Sequence, residues 1–419
     1  MPRRFLLLHS RVGWIVACSA FFGALHLARA AIPAAQPDAD ALYAASDWFG
    51  LRARLEGASP PLYRAAIAAA FLRPDAERLL REIIRSAPNS SEARDAHRWL
   101  THLFVDTGQY RKLATNLESH LRSFPKDADA LSAQRTLGPL LEMPDQIVIS
   151  SEASRVPHDG GLFIPVRVNG VEAQFFVDTG AGFSAVSESE AARLGLRFAK
   201  SMGSVNTSTT QTAAYRVAIA KELIIGGFCL RDVTFGVFPN DGDPWRNLAP
   251  GRRGLIGFPV QTVLRRMSWS RDGTFAVGRS GGEPRTAEPN LALFDDHPCV
   301  RVAIAEREVL FTLDTGAVNT DLYARFGQEF PGVMGTAKKT ESEVRGIAGA
   351  EIHGAFELTE LKIVVGGTPA TLRPAIVLAQ QINSPRFVGN LGFDVLKQHG
   401  TFLVDFETMR VEIAGFGDK

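Results

Sequence analysis

Two aspartates in this chain occupy the same short motif, an apolar run followed by Asp-Thr-Gly-Ala. Asp178 lies in Phe176–Ala181 and Asp314 lies in Phe311–Ala317. A single Asp-Thr-Gly is an ordinary turn after a strand, since Asp and Gly are common turn residues. A carboxylate buried directly after apolar residues, however, is costly unless it is paired or hydrogen-bonded. Each aspartate therefore needs a partner, and the other aspartate is the leading candidate.

The surroundings of the two aspartates also repeat, at a nearly constant offset along the chain. Three further pairs of segments follow in the same order: Phe163–Val168 with Cys299–Ile304, Glu222–Gly227 with Glu360–Gly367, and Gly254–Val260 with Gly389–Val395. Gly257 of the last segment follows Asp178 at almost the same separation at which Gly392 follows Asp314. Chance resemblance between two turns does not explain this order, so the region is predicted to hold two copies of one lobe.

The repeat predicts a mainly-β lobe one at residues 145–285 and lobe two at residues 288–419, joined by the polar segment Arg279–Pro289. Strand patterns run through both lobes, and Asn169-Gly170 predicts a tight hairpin turn between two strands. Two copies imply a pseudo-twofold axis at which equivalent elements meet. If the Asp-Thr-Gly loops meet at that axis, the two aspartates meet as well.

With these motifs the chain resembles the retropepsin-like and pepsin-like aspartic peptidases, in particular their bacterial retropepsin-like relatives. The resemblance covers both predicted lobes, from residue 145 to residue 419. It implies a bilobal acid-protease fold in which one chain carries both catalytic aspartates, Asp178 and Asp314. By position, it also implies that Thr179 and Thr315 reach across to the opposite loop, while Gly180 and Gly316 let the backbone approach the carboxylates closely. The glycines of the later segments, each followed by a short helix, would pack against these loops.

The chemistry implied is peptide hydrolysis by a water molecule activated between two carboxylates that share one proton. Two like charges a few ångströms apart do not both ionise easily, so the pair keeps one proton over an intermediate pH range. The residue after each tripeptide is alanine, Ala181 or Ala317, which has no hydroxyl to stabilise a charged carboxylate. The sequence therefore predicts an activity optimum that is mildly acidic to near neutral. No cofactor and no metal are expected.

The resemblance further implies hairpin flaps that close over the substrate. In lobe two the flap falls at Val344–His353, with the substrate-binding tip at Gly346, Ile347, Ala348 and Gly349. In lobe one it falls at Val205–Tyr215, which has no glycine and many hydroxyls. The two flaps look unequal, and Tyr215 is interpreted as an ordinary strand tyrosine.

Before the lobes, residues 38–143 show helical periodicity broken by prolines. Five positions of one part recur in the next at a constant offset, that between Pro88 and Pro125, which predicts helical hairpin repeats. Trp99–Phe104 followed by Gly108-Gln-Tyr110 resembles the tetratricopeptide pattern, although the repeat here is slightly longer than that pattern requires. Such stacks often bind partners. The alternative is that the helices only brace the following β region or link it to something else.

Residues 1–30 combine basic residues, an apolar run and a final Ala-Arg-Ala, which is the pattern of a cleaved signal peptide. We therefore expect export, to the periplasm or beyond, with a mature chain that starts at Ala31. A retained membrane anchor and a lipoprotein processed at Cys18 are the alternatives. Cleavage at Ala30 leaves Cys229 and Cys299, which form either one disulfide or two buried thiols.

The whole chain has 46 Lys and Arg against 45 Asp and Glu, so its net charge of +1 argues against a nucleic-acid partner. The predicted function is an aspartic endopeptidase with a polypeptide substrate, whose helical repeats dock a substrate or protein partner. A membrane is a partner only if the N-terminal segment is retained or lipidated. The alternative is an inactive peptide-binding module of the same fold. Both Asp-Thr-Gly tripeptides are intact, which favours the enzyme.

Overall fold

The structure, a computed structural model, describes residues 38–55, 59–206, 212–279, 288–294, 297–347 and 349–414. The predictions for the leader at residues 1–30 and for Cys18 lie outside this part of the chain. Among the described helices, none is long and apolar enough to cross a membrane.

Eight short helices form the N-terminal region, as the sequence predicted. They are α1 (Ala39–Ala44), α2 (Trp48–Arg54), α3 (Pro61–Ala70), α4 (Ala76–Ser86), α5 (Ser91–Asp106), α6 (Tyr110–Ser123), α7 (Ala128–Thr136) and α8 (Gly138–Leu141). Helix α5 begins after Ser90, whose hydroxyl accepts from the Ala93 N–H at 3.1 Å, and α7 begins after Asp127, whose carboxylate accepts from the Ala130 N–H at 2.9 Å. These caps satisfy amide groups that have no partner within the helix. Ser90 and Asp127 are separated by the same offset as Pro88 and Pro125. The helical hairpin repeat and its tetratricopeptide character stay predictions.

Lobe one follows with β1 (Ile147–Glu152), β2 (Ser154–Pro157), β3 (Phe163–Val168), β4 (Val171–Val177), β5 (Ser184–Ser187), α9 (Glu188–Arg193), β6 (Arg197–Asn206), β7 (Thr212–Ile225), β8 (Gly227–Phe238), β9 (Gly254–Ile256), α10 (Phe258–Leu264), β10 (Arg266–Ser270) and β11 (Thr274–Val277). Eight of these strands form one sheet in the order β1-β8-β5-β9-β4-β3-β7-β6, and β7 also pairs with β8. That extra pairing closes six strands into a barrel-like ring. The predicted turn at Asn169-Gly170 is confirmed, with positive φ at both residues.

Lobe two comprises β12 (Leu291–Phe294), β13 (His297–Ile304), β14 (Arg307–Leu313), β15 (Asp321–Leu322), α11 (Ala324–Glu329), α12 (Pro331–Met334), β16 (Lys338–Gly346), β17 (Gly349–Leu358), β18 (Leu361–Val365), β19 (Thr368–Leu372), β20 (Ala375–Leu378), β21 (Gly389–Leu391), α13 (Phe393–Leu396), β22 (Thr401–Asp405) and β23 (Arg410–Ala414). Ten of its strands, β12 to β21, form a second sheet. Both short helices predicted after Gly257 and Gly392 are present, as α10 and α13.

The two lobes share a third sheet, with strand order β2-β11-β10-β22-β23. Its central pairing joins Arg266–Ser270 of lobe one to Thr401–Asp405 of lobe two in antiparallel register. Backbone hydrogen bonds therefore connect the two lobes directly.

Cys229 and Cys299 do not form a disulfide in the described part of the chain. Cys229 is half-buried on β8, and Cys299 is buried on β13 with its Sγ 3.4 Å from the His297 carbonyl oxygen. The sequence allowed either one disulfide or two buried thiols. The structure contains two thiols, of which that of Cys299 is fully buried.

The helical region packs against both lobes. On the lobe-two side, the rings of Trp48 and Phe49 lie 6.0 and 6.4 Å from the ring of Phe294, and the Arg301 guanidinium lies 4.4 Å over Phe49. On the lobe-one side, the Thr262 hydroxyl on α10 donates to the Asp106 carbonyl at the end of α5 at 3.2 Å. Apolar burial thus joins the helices to the β region.

Replacement of Phe49 by alanine tests this coupling. The side chain is buried, so Phe49→Ala is expected to lower the free energy of unfolding by about 3 kcal/mol. If helices and lobes unfold as one unit, a single urea transition monitored by circular dichroism and tryptophan fluorescence moves to lower urea. The control is Ala53→Ser at an exposed position of the same helix. Two separate transitions, with only the helical one shifted, would show that the regions are independent.

Candidate active site

The two Asp-Thr-Gly loops begin where two strands end. Val177 closes β4 and Leu313 closes β14, and each of these strands runs parallel to a short strand, β9 or β21. The Asp178 N–H donates to the Ile256 carbonyl at 3.1 Å, and the Asp314 N–H donates to the Leu391 carbonyl at 3.0 Å. These short strands begin the repeated segments Gly254–Val260 and Gly389–Val395, which therefore hold the aspartates in place.

Reciprocal hydrogen bonds between the two threonines join the loops. The Thr179 hydroxyl donates to the Leu313 carbonyl at 2.8 Å and accepts from the Thr315 N–H at 2.9 Å. The Thr315 hydroxyl donates to the Val177 carbonyl at 2.8 Å and accepts from the Thr179 N–H at 3.0 Å. Both threonines are 1% exposed. These four buried bonds confirm that each threonine reaches the opposite loop.

The two glycines bring each loop against the opposite carboxyl group. A Cβ on Gly180 would lie 2.6 Å from Cγ of Asp314, and a Cβ on Gly316 would lie 2.6 Å from Cγ of Asp178. Neither distance leaves room for a side chain. The close approach lets Asp178 and Asp314 lie within hydrogen-bond reach of each other.

Burial and the neighbouring charge change the acidity of this pair. Burial, and then the charge of Asp314, raise the pKa of Asp178 well above its ordinary value. Backbone N–H groups oppose this shift, among them that of Gly180, which donates to Asp178 Oδ1 at 2.9 Å. The pair therefore retains a proton at pH values where isolated carboxyl groups have lost theirs.

The later glycines support the loops from behind. A Cβ on Gly257 would lie 2.2 Å from the carbonyl carbon of Phe183, and one on Gly392 would lie 2.4 Å from the carbonyl oxygen of Asn319. Their N–H groups donate to the hydroxyls of Ser184 and Thr320 at 3.1 and 2.9 Å. The predicted close packing of these segments on the loops is confirmed.

Sequence reasoning missed two polar side chains that touch the loops. Gln261, which is fully buried on α10, donates to the carbonyl oxygens of Asp178 and Ile256 at 2.7 and 2.8 Å. Asn390 on β21 donates through Nδ2 to Asp314 Oδ2 at 3.0 Å. Asn390 lies inside the repeated segment Gly389–Val395, and Gln261 directly follows the segment Gly254–Val260. A polar side chain among apolar neighbours was the feature of the sequence that could have identified both residues.

The predicted lobe-two flap is the hairpin of β16 and β17. Gly346 and Gly349 pair across its tip, Ile347 lies between them, and Ala348 lies outside the described residues. Arg345 reaches Asp243 of lobe one at 3.4 Å. Asp243 belongs to the segment Pro239–Pro250, which therefore meets this flap.

The hairpin of β6 and β7 stands at the place of the predicted lobe-one flap, and residues 207–211 at its tip lie outside the described residues. Tyr215 on β7 is 4% exposed, and its ring lies 5.1 Å from Phe183 and 5.7 Å from Phe238. Burial raises the pKa of its hydroxyl. These contacts agree with the interpretation of Tyr215 as a packed strand residue.

Comparisons with known proteins match part of this chain. The family model for aspartyl proteases matches residues 164–260, which include Asp178 and Gly257. Among solved structures, the crystal structure of a retropepsin-like aspartic protease from Rickettsia conorii is similar at 18% sequence identity and a TM-score of 0.22, over 32% of this chain and 92% of that chain. Comparison with curated proteins found no match.

Removal of one threonine hydroxyl tests the junction of the loops. Thr179→Val keeps the shape of the side chain but leaves the Thr315 N–H and the Leu313 carbonyl unsatisfied in a buried place. The expected loss is about 2–4 kcal/mol of unfolding free energy, measured by urea denaturation. Thr179→Ser, which keeps the hydroxyl, is expected to stay within about 1 kcal/mol of the parent. Equal losses in the two variants would show that the methyl contact, and not the hydrogen bonds, is what matters.

A third carboxyl group near the pair gives a pH-dependent prediction. Burial, followed by the charges of Asp394 and Asp314, raises the pKa of Asp321 from 3.8 to about 6. The folded chain therefore binds more protons than the unfolded chain between these values, and stability falls as the pH rises through this window.

Asp321→Asn is expected to abolish that loss. Its unfolding free energy should exceed that of the parent by on the order of 1 kcal/mol at pH 7.5 and match it at pH 4. Thermal unfolding at both pH values measures the difference, and the exposed Asp241→Asn serves as control. A stabilisation that is the same at both pH values would contradict the assigned cause.

Proposed function

We propose that this chain is an aspartic endopeptidase with Asp178 and Asp314 as its catalytic residues. The observation that carries the proposal is the position of two buried carboxyl groups within hydrogen-bond reach of each other, held by the hydrogen bonds of Thr179 and Thr315. The aspartyl protease match over residues 164–260 supports it. The matching contacts around the two loops agree with the predicted pseudo-twofold relation of the lobes.

The proposed reaction needs one charged and one protonated carboxyl group. The charged carboxylate takes a proton from a water molecule while the water oxygen attacks the carbonyl carbon of the peptide bond. The other carboxyl group gives its proton to the carbonyl oxygen, which yields a tetrahedral diol. Collapse of the diol breaks the C–N bond: the amine leaves with the proton that the dyad took from water, and one diol hydroxyl gives its proton back to the dyad as the carboxylic acid product forms. Each turnover consumes one water molecule and returns the single shared proton.

The substrate is proposed to be an extended polypeptide segment held beneath the lobe-two flap. The backbone of Gly346, Ile347, Ala348 and Gly349 would pair with it as an added strand. The ion pair between Arg345 and Asp243 gives this flap a contact on lobe one when it is closed. Opening the flap would break that pair and separate Ile347 from the apolar cluster that it packs against.

The helical region is proposed to dock a protein partner or the substrate. A cavity of about 300 Å³ supports this, with charged and aromatic lining residues that include Tyr43, Trp48, Asp95, Arg98 and Trp99. Export remains a proposal from the sequence of residues 1–30. The domain limits proposed above, 38–143, 145–285 and 288–419, are likewise retained as proposals.

Cleavage of a degenerate peptide library between pH 3 and 8, by the chain from Ala31, tests the proposed function. The parent is expected to cleave best at mildly acidic to neutral pH. Asp178→Asn and Asp314→Asn are each expected to lose at least about 10³-fold in rate, because neither half of the dyad acts alone. Circular dichroism checks that the variants fold.

Activity that survives either substitution would exclude the two-carboxylate mechanism. A folded parent that binds library peptides without cleaving them would establish the peptide-binding module in place of the enzyme. Mass spectra of the library before and after incubation show cleavage, and mass spectra of the peptides retained on the protein show binding.

A further inference from the structure

The two lobes support their aspartates differently at one matched pair of positions. In lobe one, Phe176 on β4 pairs with Leu255 on β9. In lobe two, Thr312 on β14 pairs with Asn390 on β21 in the same parallel arrangement. An apolar pair beside one carboxyl group thus corresponds to a polar pair beside the other.

The polar pair forms a directed chain of hydrogen bonds that ends on Asp314. The Thr312 hydroxyl donates to Asn390 Oδ1 at 2.5 Å, which leaves Asn390 Nδ2 to donate to Asp314 Oδ2 at 3.0 Å. Tyr323 contacts Thr312 through a further side-chain hydrogen bond. The amide of Asn390 is therefore held with its NH₂ group toward the carboxylate, an orientation set by the network. Asp314 Oδ1 accepts separately from the Ala317 N–H at 3.0 Å.

Asp178 has a different set of donors. Its carboxyl group accepts from the backbone N–H groups of Gly180 and Gly316. Within the described part of the chain, the only side chain that hydrogen-bonds to it is that of Asp314. Leu255, at the position matched to Asn390, is 5% exposed and cannot donate.

We propose that Asn390 is a positioning residue that places the negative charge of the dyad on Asp314 and leaves the shared proton on Asp178. A hydrogen bond from a neutral amide to an ionised carboxylate is stronger than one to its protonated form, so the donor favours charge on the group it touches. This inference rests on the proposed function and assigns the base and the acid of the reaction. Asp314 takes the proton from water, and Asp178 gives its proton to the carbonyl oxygen.

The carboxyl groups around Asp314 oppose a charge on it, so an ionised Asp314 requires hydrogen-bond donors. Asp321 is neutral on the acid side of its pKa of about 6, and above that pH its charge opposes a charge on Asp314. Asp394, which accepts from the Thr320 hydroxyl at 2.7 Å, adds to the same negative field, while His353 acts on Asp321 in the opposite sense. Tyr323 stays neutral, since burial raises its pKa to about 12. Asn390 supplies such a donor from a side chain, and the Ala317 N–H supplies one from the backbone.

The pH profile of kcat/KM tests the proposal with Asn390→Leu, which gives lobe two the residue of lobe one. Loss of the donor makes the base harder to ionise. The acidic limb of kcat/KM is therefore expected to move upward by about one pH unit, with KM nearly unchanged. Thr312→Val keeps Asn390 but removes its orienting hydroxyl, and is expected to move the limb by less than half as much.

A readout without substrate makes the test independent of peptide cleavage. In ¹³C spectra of the free protein, with Cγ resonances assigned from Asp178→Asn and Asp314→Asn, Asp314 is expected to appear ionised and Asp178 protonated over the pH range in which the pair holds a single proton. In Asn390→Leu this difference is expected to shrink, and thermal unfolding checks that the variant folds.

An acidic limb that stays in place in Asn390→Leu, or an ionised Asp178 in the parent, would overturn the proposal. A parent that cleaves no peptide would remove the proposed function, while the carbon spectra would still decide where the charge resides. The two failures are therefore distinguishable.

Discussion

The buried contact between Thr179 and Thr315 is the constraint on which the rest of this site depends. Two carboxyl groups repel each other when both are charged, so the fold has to hold them together against that repulsion. Four hydrogen bonds between the loops do so, and all four are within the protein interior. The glycine of each tripeptide then removes the only side chain that would keep the loops apart.

The energetic cost of the buried acids is limited by keeping one of them protonated. The raised pKa of Asp178 is the thermodynamic expression of this arrangement, since it means that the folded chain binds a proton that the unfolded chain would release. The raised pKa of Asp321 shows that charging a buried carboxyl group is also unfavourable at a position outside the dyad. Stability and the proposed catalysis therefore depend on the same property, the resistance of this region to a second negative charge.

Much of this arrangement was predictable because it follows from local sequence. The Asn169-Gly170 turn, the helix at Ala76–Ser86 and the helices after Gly257 and Gly392 each have short-range signals, and all are present. The meeting of Asp178 and Asp314 was predictable from the repeat. The roles of Asn390 and Gln261 were not, because they depend on which strands pair and in which register.

Contacts between distant segments were also beyond the sequence. The segment Pro239–Pro250 carries no signal that it meets the flap, since Asp243 and Arg345 are 102 residues apart. Nor does the pattern of residues 38–143 indicate that Trp48 and Phe49 pack on Phe294 of lobe two. Such contacts arise from packing of complete elements, and apolar residues alone do not specify their partners.

A single chain that closes one site from two carboxyl groups should bind one transition-state mimic. Calorimetric titration with a statine-type inhibitor, whose hydroxyl takes the place of the attacking water, measures this directly. We expect one inhibitor molecule per chain, with binding lost in Asp178→Asn and in Asp314→Asn. Half a molecule per chain would mean that each site draws on two chains, and binding that persists without either aspartate would mean that the dyad is not the site; either result would contradict a dyad built within one chain.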